Sequence, residues 1–385
     1  MNKMCGLVGI ILLALVLFAG CSSTATPESP SAATPPAATA KATSPASNFT
    51  LPTSQDAAWD KIIEAAKKEG RVSVYSFNMT GDAGLAVTRA FEARYGVKLD
   101  IITGGGAALA ERIKTEKRMG TIVADVMDAN TFQISNIKNI GATISAEDLP
   151  APKEKGIFFI EPSANDPQQH KLIHTMLYYS VVANASQIKS SDEPKSVKEL
   201  ALPKWKGKIS AYDPRQSSGH YNYFLPLLKR KLIDQDTLQA IGKNEIAWAA
   251  TSLDSAQNLI RGQYPLYFGG GTSPFAPLVA TEPTLPIKLL DIEEGVVVYN
   301  LAIGLVKDSP HPNAAKLLVN WMFTQEGQKT FVAAKGLVPV RKDVPDFTPG
   351  MLRMTPTKLI VPSAEEEDEY VRLFQEGYLA KLWGR

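Results

Sequence analysis

The chain has 385 residues, of which 44% are hydrophobic and 21% are charged, an ordinary composition for a soluble protein. That length is enough for one or two globular units with sizeable cores. Because 41 basic and 39 acidic residues nearly cancel to a net charge of +2, and no basic cluster stands out, nucleic acid is excluded as an expected partner.

Residues 1–20 are predicted to be a signal peptide of the lipoprotein type. Lys3 supplies the positive charge, and the apolar run 7–18 is too short to span a bilayer comfortably. Small residues then precede Cys21, a pattern that resembles the bacterial lipobox, in which the chain is cut before a cysteine whose thiol is lipidated. The other cysteine, Cys5, leaves with the leader, so Cys21 has no disulfide partner. We therefore expect lipidation at Cys21, and a plain signal peptide with an unrelated cysteine is the alternative.

Residues 21–53 are predicted to form a disordered tether that starts at the lipidated Cys21. This stretch consists mainly of Ser, Thr, Ala and Pro, with Glu28 and Lys41 as its charged residues before position 53. Such a composition cannot bury a core, so we expect an extended chain that holds a folded domain away from the membrane.

Strands and helices alternate from residue 54 onwards. Apolar residues at helical spacing over 59–66 predict a first helix, and strands are predicted at 71–77, 97–103 and 122–127 with helices at 85–95 and 107–119 between them. Residues 186–291 repeat the alternation, an apolar strand follows at 296–305, and helices follow at 313–323 and 326–334. Alternation of this kind predicts parallel, doubly wound sheets.

A last helix is predicted to begin at Ser363. Glu366 follows three residues later, which is the capping-box pattern for a helix start. The acidic run 365–369 is interpreted as a solvated first turn that the helix dipole favours.

Several segments in the second half of the chain resemble one protein family. They are SVKEL at 196–200, PKWKGKI at 203–209, DPRQSSG at 213–219, HPNAAKL at 311–317 and TQEGQ at 324–328. In order and spacing they look like the signature of ferric-iron-type periplasmic binding proteins, the type II solute-binding subunits of ABC importers. The resemblance covers roughly residues 56–344.

The resemblance implies an α/β fold of two doubly wound lobes joined by crossover strands, at 172–184 and 296–305. Lobe one would comprise residues 54–180 and 296–345, lobe two residues 181–295, and a C-terminal helical extension residues 346–385. Members of this family close around a ligand by hinge bending.

The function implied is capture of a small anionic solute or ferric chelate between the lobes, for delivery to ABC permease and ATPase subunits. We expect a monomer without a cofactor, outside the cytoplasm and anchored to the cell membrane by its N-terminal lipid. A sensory binding protein that presents its ligand to a receptor or kinase is the main alternative. A secreted hydrolase is less favoured because no GxSxG, HExxH or GxxxxGK[ST] motif occurs.

Candidate ligand-binding residues lie where predicted strands end, because doubly wound sheets bind ligands beyond their carboxyl edges. Glycines there would let main-chain N–H groups approach a ligand, with a flexible turn as the alternative. Arg215 beside two serines suits a pair of anionic oxygens, with a surface arginine at a capped helix as the alternative. The candidates are Ser76, Asn78, Thr80, Gly105, Gly106, Asp128 and Asn130 in lobe one, and Arg215, Ser217, Ser218, Gly271 and Thr272 in lobe two.

A tyrosine cage for bare ferric ion is not expected. The resembled family uses consecutive tyrosines in lobe two, but the matching stretch here has Tyr267-Phe268 followed by glycines. Tyr179 belongs to a second pair, in a predicted strand whose alternation points neighbouring rings to opposite faces. Tyr179 and Tyr267 are therefore the only metal-ligand candidates, and no metal site is predicted. His170 and His174 are interpreted as structural residues of the same strand.

Overall fold

The structure, a computed structural model, describes residues 57–385 apart from 136, 138, 164–169, 217–218, 283, 336 and 345–356. The strands are β1 (Arg71–Ser76), β2 (Lys98–Thr103), β3 (Val126–Asn130), β4 (Leu172–Tyr179), β5 (Val182–Asn184), β6 (Ile209–Tyr212), β7 (Ala247–Ala249), β8 (Leu266–Phe268), β9 (Ile287–Leu289), β10 (Val296–Leu305), β11 (Val338–Pro339) and β12 (Leu359–Ile360). The helices are α1 (Ala57–Glu69), α2 (Gly81–Tyr95), α3 (Gly106–Met119), α4 (Thr131–Ser135), α5 (Gly219–Lys229), α6 (Gln235–Gly242), α7 (Ser252–Ile260), α8 (Ala276–Thr281), α9 (Pro312–Met322), α10 (Gln325–Lys335), α11 (Ala364–Gln375) and α12 (Tyr378–Leu382).

The predicted signal peptide, Cys21 and the predicted tether lie outside the described residues. Among the helices that the structure does describe, none is both long enough and apolar enough to cross a membrane.

Seven strands form the first sheet, in the order β11-β4-β10-β3-β1-β2 with β12 beside β10. Strands β2, β1 and β3 run parallel, whereas β10 runs antiparallel to both β3 and β4. Helices α2 and α10 pack together beside this sheet, and α1 packs on α9. We call the sheet and these helices the seven-stranded half.

The third strand begins later than the sequence predicts, at Val126 rather than at 122. The Glu116 side chain accepts hydrogen bonds from the main-chain N–H groups of Val123 and Ala124, at 3.0 and 3.4 Å. The Asp125 side chain accepts from the main-chain N–H of Ser73 in β1 at 2.8 Å. The predicted range was therefore wrong. Asp128 and Asn130 lie within β3 rather than in a loop after it.

Five strands form the second sheet, in the order β7-β6-β8-β5-β9. Strand β6 is parallel to β7 and β8, whereas β5 is antiparallel to β8 and β9. Buried aromatic rings cover it: Phe224 of α5 lies 5.3 Å from Phe268 of β8, centroid to centroid. We call this sheet with α5, α6 and α7 the five-stranded half.

The chain passes between the two sheets at three described places. It leaves the seven-stranded sheet after β4 and enters the other at β5, and it returns between β9 and β10. Near the C-terminus, β12 pairs with the start of β10, and the chain then continues into α11, which packs against α5. The predicted fold class, two α/β lobes joined by crossover strands, is confirmed, while the residue limits of the lobes stay a prediction.

The last long helix starts as the sequence predicts. Ser363 accepts a hydrogen bond from the main-chain N–H of Glu366, and the Glu366 side chain accepts from the N–H of Ser363 at 2.7 Å. The interpretation of the acidic run as a solvated turn holds for Glu365 and Asp368, which are exposed, but was wrong for Glu366 and Glu367, which are buried. Arg230 forms two hydrogen bonds with Glu366, of 2.6 and 2.9 Å, and the hydroxyl of Thr131 bonds to Glu367.

Candidate functional site

Three of the predicted residues form one buried polar cluster at the carboxyl edge of the seven-stranded sheet. Asp128 accepts hydrogen bonds from the Ser76 hydroxyl and from the Asn78 amide, the latter at 3.0 Å. On its other side the same carboxylate lies 2.8 Å from Nε2 of His174 in β4. The Ser76 oxygen also accepts from the main-chain N–H groups of Asn78 and Met79, at 3.0 and 2.7 Å. The cluster therefore fixes the turn that follows β1.

The order of groups in this cluster does not suit nucleophilic catalysis. In a serine–histidine–aspartate triad the histidine sits between the serine and the carboxylate, so that it can take the serine proton. Here Asp128 sits in the middle and contacts both Ser76 and His174. All three side chains are fully buried, so the arrangement positions a loop and offers no reactive hydroxyl.

Thr80 and Lys335 lie at the exposed side of this cluster. Thr80 precedes α2, and its hydroxyl accepts a hydrogen bond of 2.9 Å from the Lys335 ammonium instead of capping the helix. Burial lowers the pKa of Lys335, and the nearby charge of Asp128 acts in the opposite direction. The sequence analysis missed Lys335, since a lysine ending an amphipathic helix is ordinarily a surface residue.

The two predicted glycines before α3 differ in their surroundings. A β-carbon built on Gly106 would overlap the side chain of Gln133, whereas one built on Gly105 would meet nothing within 4 Å. Gln133 is itself held by a 2.8 Å bond from its main-chain N–H to Asn130. Close packing therefore accounts for glycine at 106, and the open space at Gly105 leaves room for another group.

Tyrosines surround the point where the chain passes from β4 to β5. Tyr179 forms an antiparallel backbone bridge with Gly271, and its ring centroid lies 5.5 Å from that of Tyr299 in β10. The neighbouring Thr272 donates its N–H to the Tyr178 carbonyl at 3.2 Å. Predicted residues of the five-stranded half thus meet the end of β4.

Burial keeps these phenols protonated. It raises the pKa of Tyr179 to about 12 and raises the pKa of Tyr299 well above its usual value, against a hydrogen bond with Asn130 that lowers it. Burial also raises the pKa of Tyr267, whose hydroxyl has no hydrogen-bond partner among the described residues. A β-carbon on Gly270 would overlap that hydroxyl. Tyr267 therefore packs against the glycine loop.

Arg215 is engaged by another residue rather than free. Its guanidinium makes a two-point contact with Asp213, of 3.0 Å from Nε and 2.5 Å from the terminal nitrogen. Arg385 adds a third bond to the same carboxylate at 3.2 Å, and Arg215 holds the pKa of Asp213 well below its usual range. The sequence analysis missed both partners. Ser217 and Ser218 lie outside the described residues.

No group of three or more His, Cys, Asp or Glu side chains in the described part of the chain is arranged to hold a metal ion. His174 lies in a strand, as the sequence indicates, and is bound to a carboxylate. The residues assembled here are suited to hydrogen bonding and ring contact.

Comparison with known proteins gives one family and one fold. Residues 86–356 match the family model described as bacterial extracellular solute-binding protein. An uncharacterized protein of Haemophilus influenzae is 24% identical over 281 residues, which are 70% of this chain and 77% of that protein.

Solved structures similar to this chain include iron-bound HitA from Pseudomonas aeruginosa, with a TM-score of 0.62 and 19% identity over 80% of this chain and 98% of HitA. AfuA from Actinobacillus pleuropneumoniae with fructose-6-phosphate has a TM-score of 0.61 and 21% identity, over 80% and 97% of the two chains. Ferric iron-binding protein A of Mannheimia haemolytica in an open conformation has a TM-score of 0.66 and 16% identity, over 82% and 99%. At these identities the likeness shows the fold.

Proposed function

This chain belongs to the bacterial extracellular solute-binding proteins, and from that premise we propose that it is the capture subunit of an ABC importer for a small solute carrying an anionic group. Proteins of this family bind small ligands, and their fold is one of binding proteins. The solute would bind in a cleft between the two halves and be passed to a permease with its ATPase. A sensory role that uses the same cleft is the second candidate, and genes for a permease and an ATPase beside this one would favour transport.

The observation that supports a shared site is the meeting of both halves at the end of β4. Tyr179 of the seven-stranded sheet pairs with Gly271, which follows β8 of the five-stranded sheet. Tyr299 and Asn130 approach the same place from β10 and β3. A solute held there would touch both halves, and closure around it would bring further groups into contact.

The chemistry at this place favours an anionic group over bare ferric ion. Protonated phenols can donate hydrogen bonds to oxygen anions, and the Tyr267 hydroxyl has no hydrogen-bond partner among the described residues. A ferric ion would instead need several anionic oxygens around it, and burial disfavours the phenolate forms of Tyr179 and Tyr267. A ferric chelate that binds through its own carboxylates fits the same donors. Among proteins of this fold, HitA is seen with iron and AfuA with fructose-6-phosphate.

Thermal-shift titration of the mature protein against phosphate, fructose-6-phosphate, citrate, ferric citrate and ferric chloride tests this. We expect an anionic compound to raise the melting temperature, since a ligand at a hundredfold excess over its dissociation constant stabilises by about 2.7 kcal/mol. Ferric chloride should give no visible charge-transfer band. A tyrosinate–iron band that disappears in Tyr179→Phe or Tyr267→Phe, but not in Arg215→Ala, would contradict the proposal.

Membrane attachment through a lipid on Cys21 is part of the same proposal. What supports it is the leader-like N-terminal segment with small residues before a cysteine that has no disulfide partner. A single acyl chain holds a protein only weakly, but several chains on one residue hold it stably. The Cys21→Ala protein should move from the membrane fraction to the soluble fraction, and full retention in membranes would count against lipidation.

A further inference from the structure

The C-terminal segment is fixed to the five-stranded half. The indole of Trp383 donates to the Leu238 carbonyl at 2.7 Å and lies 5.3 Å from the Trp248 ring of β7. The hydroxyl of Tyr221 in α5 accepts from the N–H of Leu379 at 3.1 Å. These hydrogen bonds and this ring contact are buried, so we expect the segment to move with that half.

One carboxyl group of the same segment, that of Glu367, contacts the seven-stranded half. On α11, Glu366 and Glu369 pair with Arg230 and Lys229 at the end of α5, within the five-stranded half. Glu367, between them, instead bonds to the hydroxyl of Thr131 at the start of α4, directly after β3. Helix α11 thus contacts α5 through one set of carboxylates and α4 through Glu367.

Glu367 is buried, although several charged groups lie near it. Its side chain is 7% exposed, and burial raises its pKa from 4.5 to about 7. The hydroxyl of Thr131 and the Lys171 ammonium act to lower that pKa, while Glu366 and Asp368 of its own helix act to raise it. From β10, the phenol of Tyr299 faces the same carboxyl. Lys171 is itself bound to the Thr131 carbonyl and the Ser135 hydroxyl, at 3.1 and 2.6 Å.

We propose that Glu367 is a latch between the two halves: its contact with Thr131 holds α11 against α4, and the contact breaks when the halves separate. The latch would control opening of the proposed solute-binding cleft, and only this role of the latch rests on the proposed function. The contact itself can be tested without a solute, so failure to find a solute and failure of the latch give different results.

The stability of the contact between Glu367 and Thr131 should depend on pH. When the halves separate, water reaches the carboxyl group and its pKa returns towards 4.5, so the latched state binds the proton more tightly. The stabilisation is therefore fully present below pH 4.5 and is lost as the pH rises through 7. Because each pKa unit corresponds to a tenfold change in relative population, opening should be about tenfold or more favoured at pH 8 compared with pH 5.5.

Amide hydrogen exchange of the full mature chain, read out in peptides covering α4 and α11, measures the opening directly. After correction for intrinsic rates, we expect exchange in both segments to be about tenfold or more faster at pH 8 than at pH 5.5. Glu367→Gln keeps the shape of the neutral carboxyl without its titration, so its exchange should not change with pH. Glu365→Gln is the matched control on the same helix, because Glu365 is exposed, and it should behave as the wild type.

Thr131→Val provides a second test should Glu367→Gln fold poorly. The hydroxyl that it removes makes the contact itself, so exchange in α4 and α11 should be faster than in the wild type at pH 5.5, where the contact is otherwise intact. The latch is overturned if Glu367→Gln shows the same pH dependence as the wild type, or if exchange in α4 is insensitive to pH in every variant.

Discussion

In the seven-stranded half the buried histidine, His174, lies 2.8 Å from the carboxylate of Asp128, whereas the buried histidine of the five-stranded half, His220, lies among aromatic rings. The centroids of Trp383, Phe268 and Trp248 are 5.5 to 5.8 Å from the His220 ring. Burial lowers the pKa of His220 to about 4, so it stays neutral at physiological pH. Each histidine also has the other kind of contact, since His220 bonds to the Tyr212 carbonyl and His174 lies 5.4 Å from the Phe331 ring. The difference is that a network of polar side chains surrounds His174, whereas several rings and a single carbonyl surround His220.

The difference shows how each half fixes the loops at its strand ends. The loop after β1 depends on polar side chains that bond to one another, so losing one group leaves its partners buried without bonds. The loop after β8 depends on glycines that let rings approach closely, since a β-carbon on Gly269 would overlap the His220 ring and one on Gly270 the Tyr267 hydroxyl. The first half should be sensitive to lost hydrogen bonds and the second to added volume.

Asp128→Ala should have the largest effect. It leaves Ser76, Asn78 and His174 buried without their shared acceptor, and breaking a buried charged network typically costs about 3–5 kcal/mol. Urea unfolding of the purified protein measures this loss. Asp308→Asn is the control, because that exposed carboxylate pairs with Lys117 at the surface and asparagine tolerates the left-handed backbone of this position (φ 59°). Its loss should cost little, since exposed ion pairs contribute little. Equal effects of the two substitutions would show that the buried network around Asp128 contributes no more than a surface ion pair.

Gly270→Ala should destabilise by about 1–3 kcal/mol, the usual cost of overfilling a packed site. Gly105→Ala, where the added carbon meets nothing within 4 Å, should change the free energy of unfolding by less than about 0.5 kcal/mol. Adding Tyr267→Phe to Gly270→Ala should recover part of the loss, since it removes the hydroxyl that the new methyl group would strike. A double variant no more stable than Gly270→Ala would show that another contact causes the loss.

Arg215→Ala should have the smallest effect on stability, since exposed ion pairs contribute little. The Arg215 guanidinium is half exposed. Asp213 also has a second partner, Arg385 at 3.2 Å, which the substitution leaves in place. The same variant also tests the role of Arg215 in binding. A loss of solute affinity without a loss of stability would show that Arg215 contacts the solute. A drop of 2 kcal/mol or more in the unfolding free energy would instead make the Asp213 pair structural.

The order of elements could be predicted because local patterns determine it. Alternating strands and helices and the Ser363 capping box depend on neighbouring residues, and the structure confirms them. The start of β3 could not be predicted in the same way, since it depends on Glu116 and Asp125 accepting main-chain N–H groups. Those bonds join residues that only the fold brings together.

The candidate site was predicted less completely for the same reason. Strand ends gave Ser76, Asn78 and Asp128, and the structure does join them. The partners Lys335, Tyr299 and Glu367 come from distant elements and carry no local signal of proximity. An acidic run at a helix start is usually solvated, so burial of Glu367 required knowledge of α4, which lies more than 200 residues away in the chain.

The first and last described helices belong to opposite halves, and this has a mechanical consequence. Glu69, at the end of α1, accepts the N–H groups of Asn313 and Ala314 at 3.2 and 2.7 Å, which ties α1 to α9 in the seven-stranded half. Trp383 ties the other end to the five-stranded half. Any rotation of one half against the other would therefore displace the two ends of the described chain relative to each other, so the separation of its termini would report directly on opening and closing.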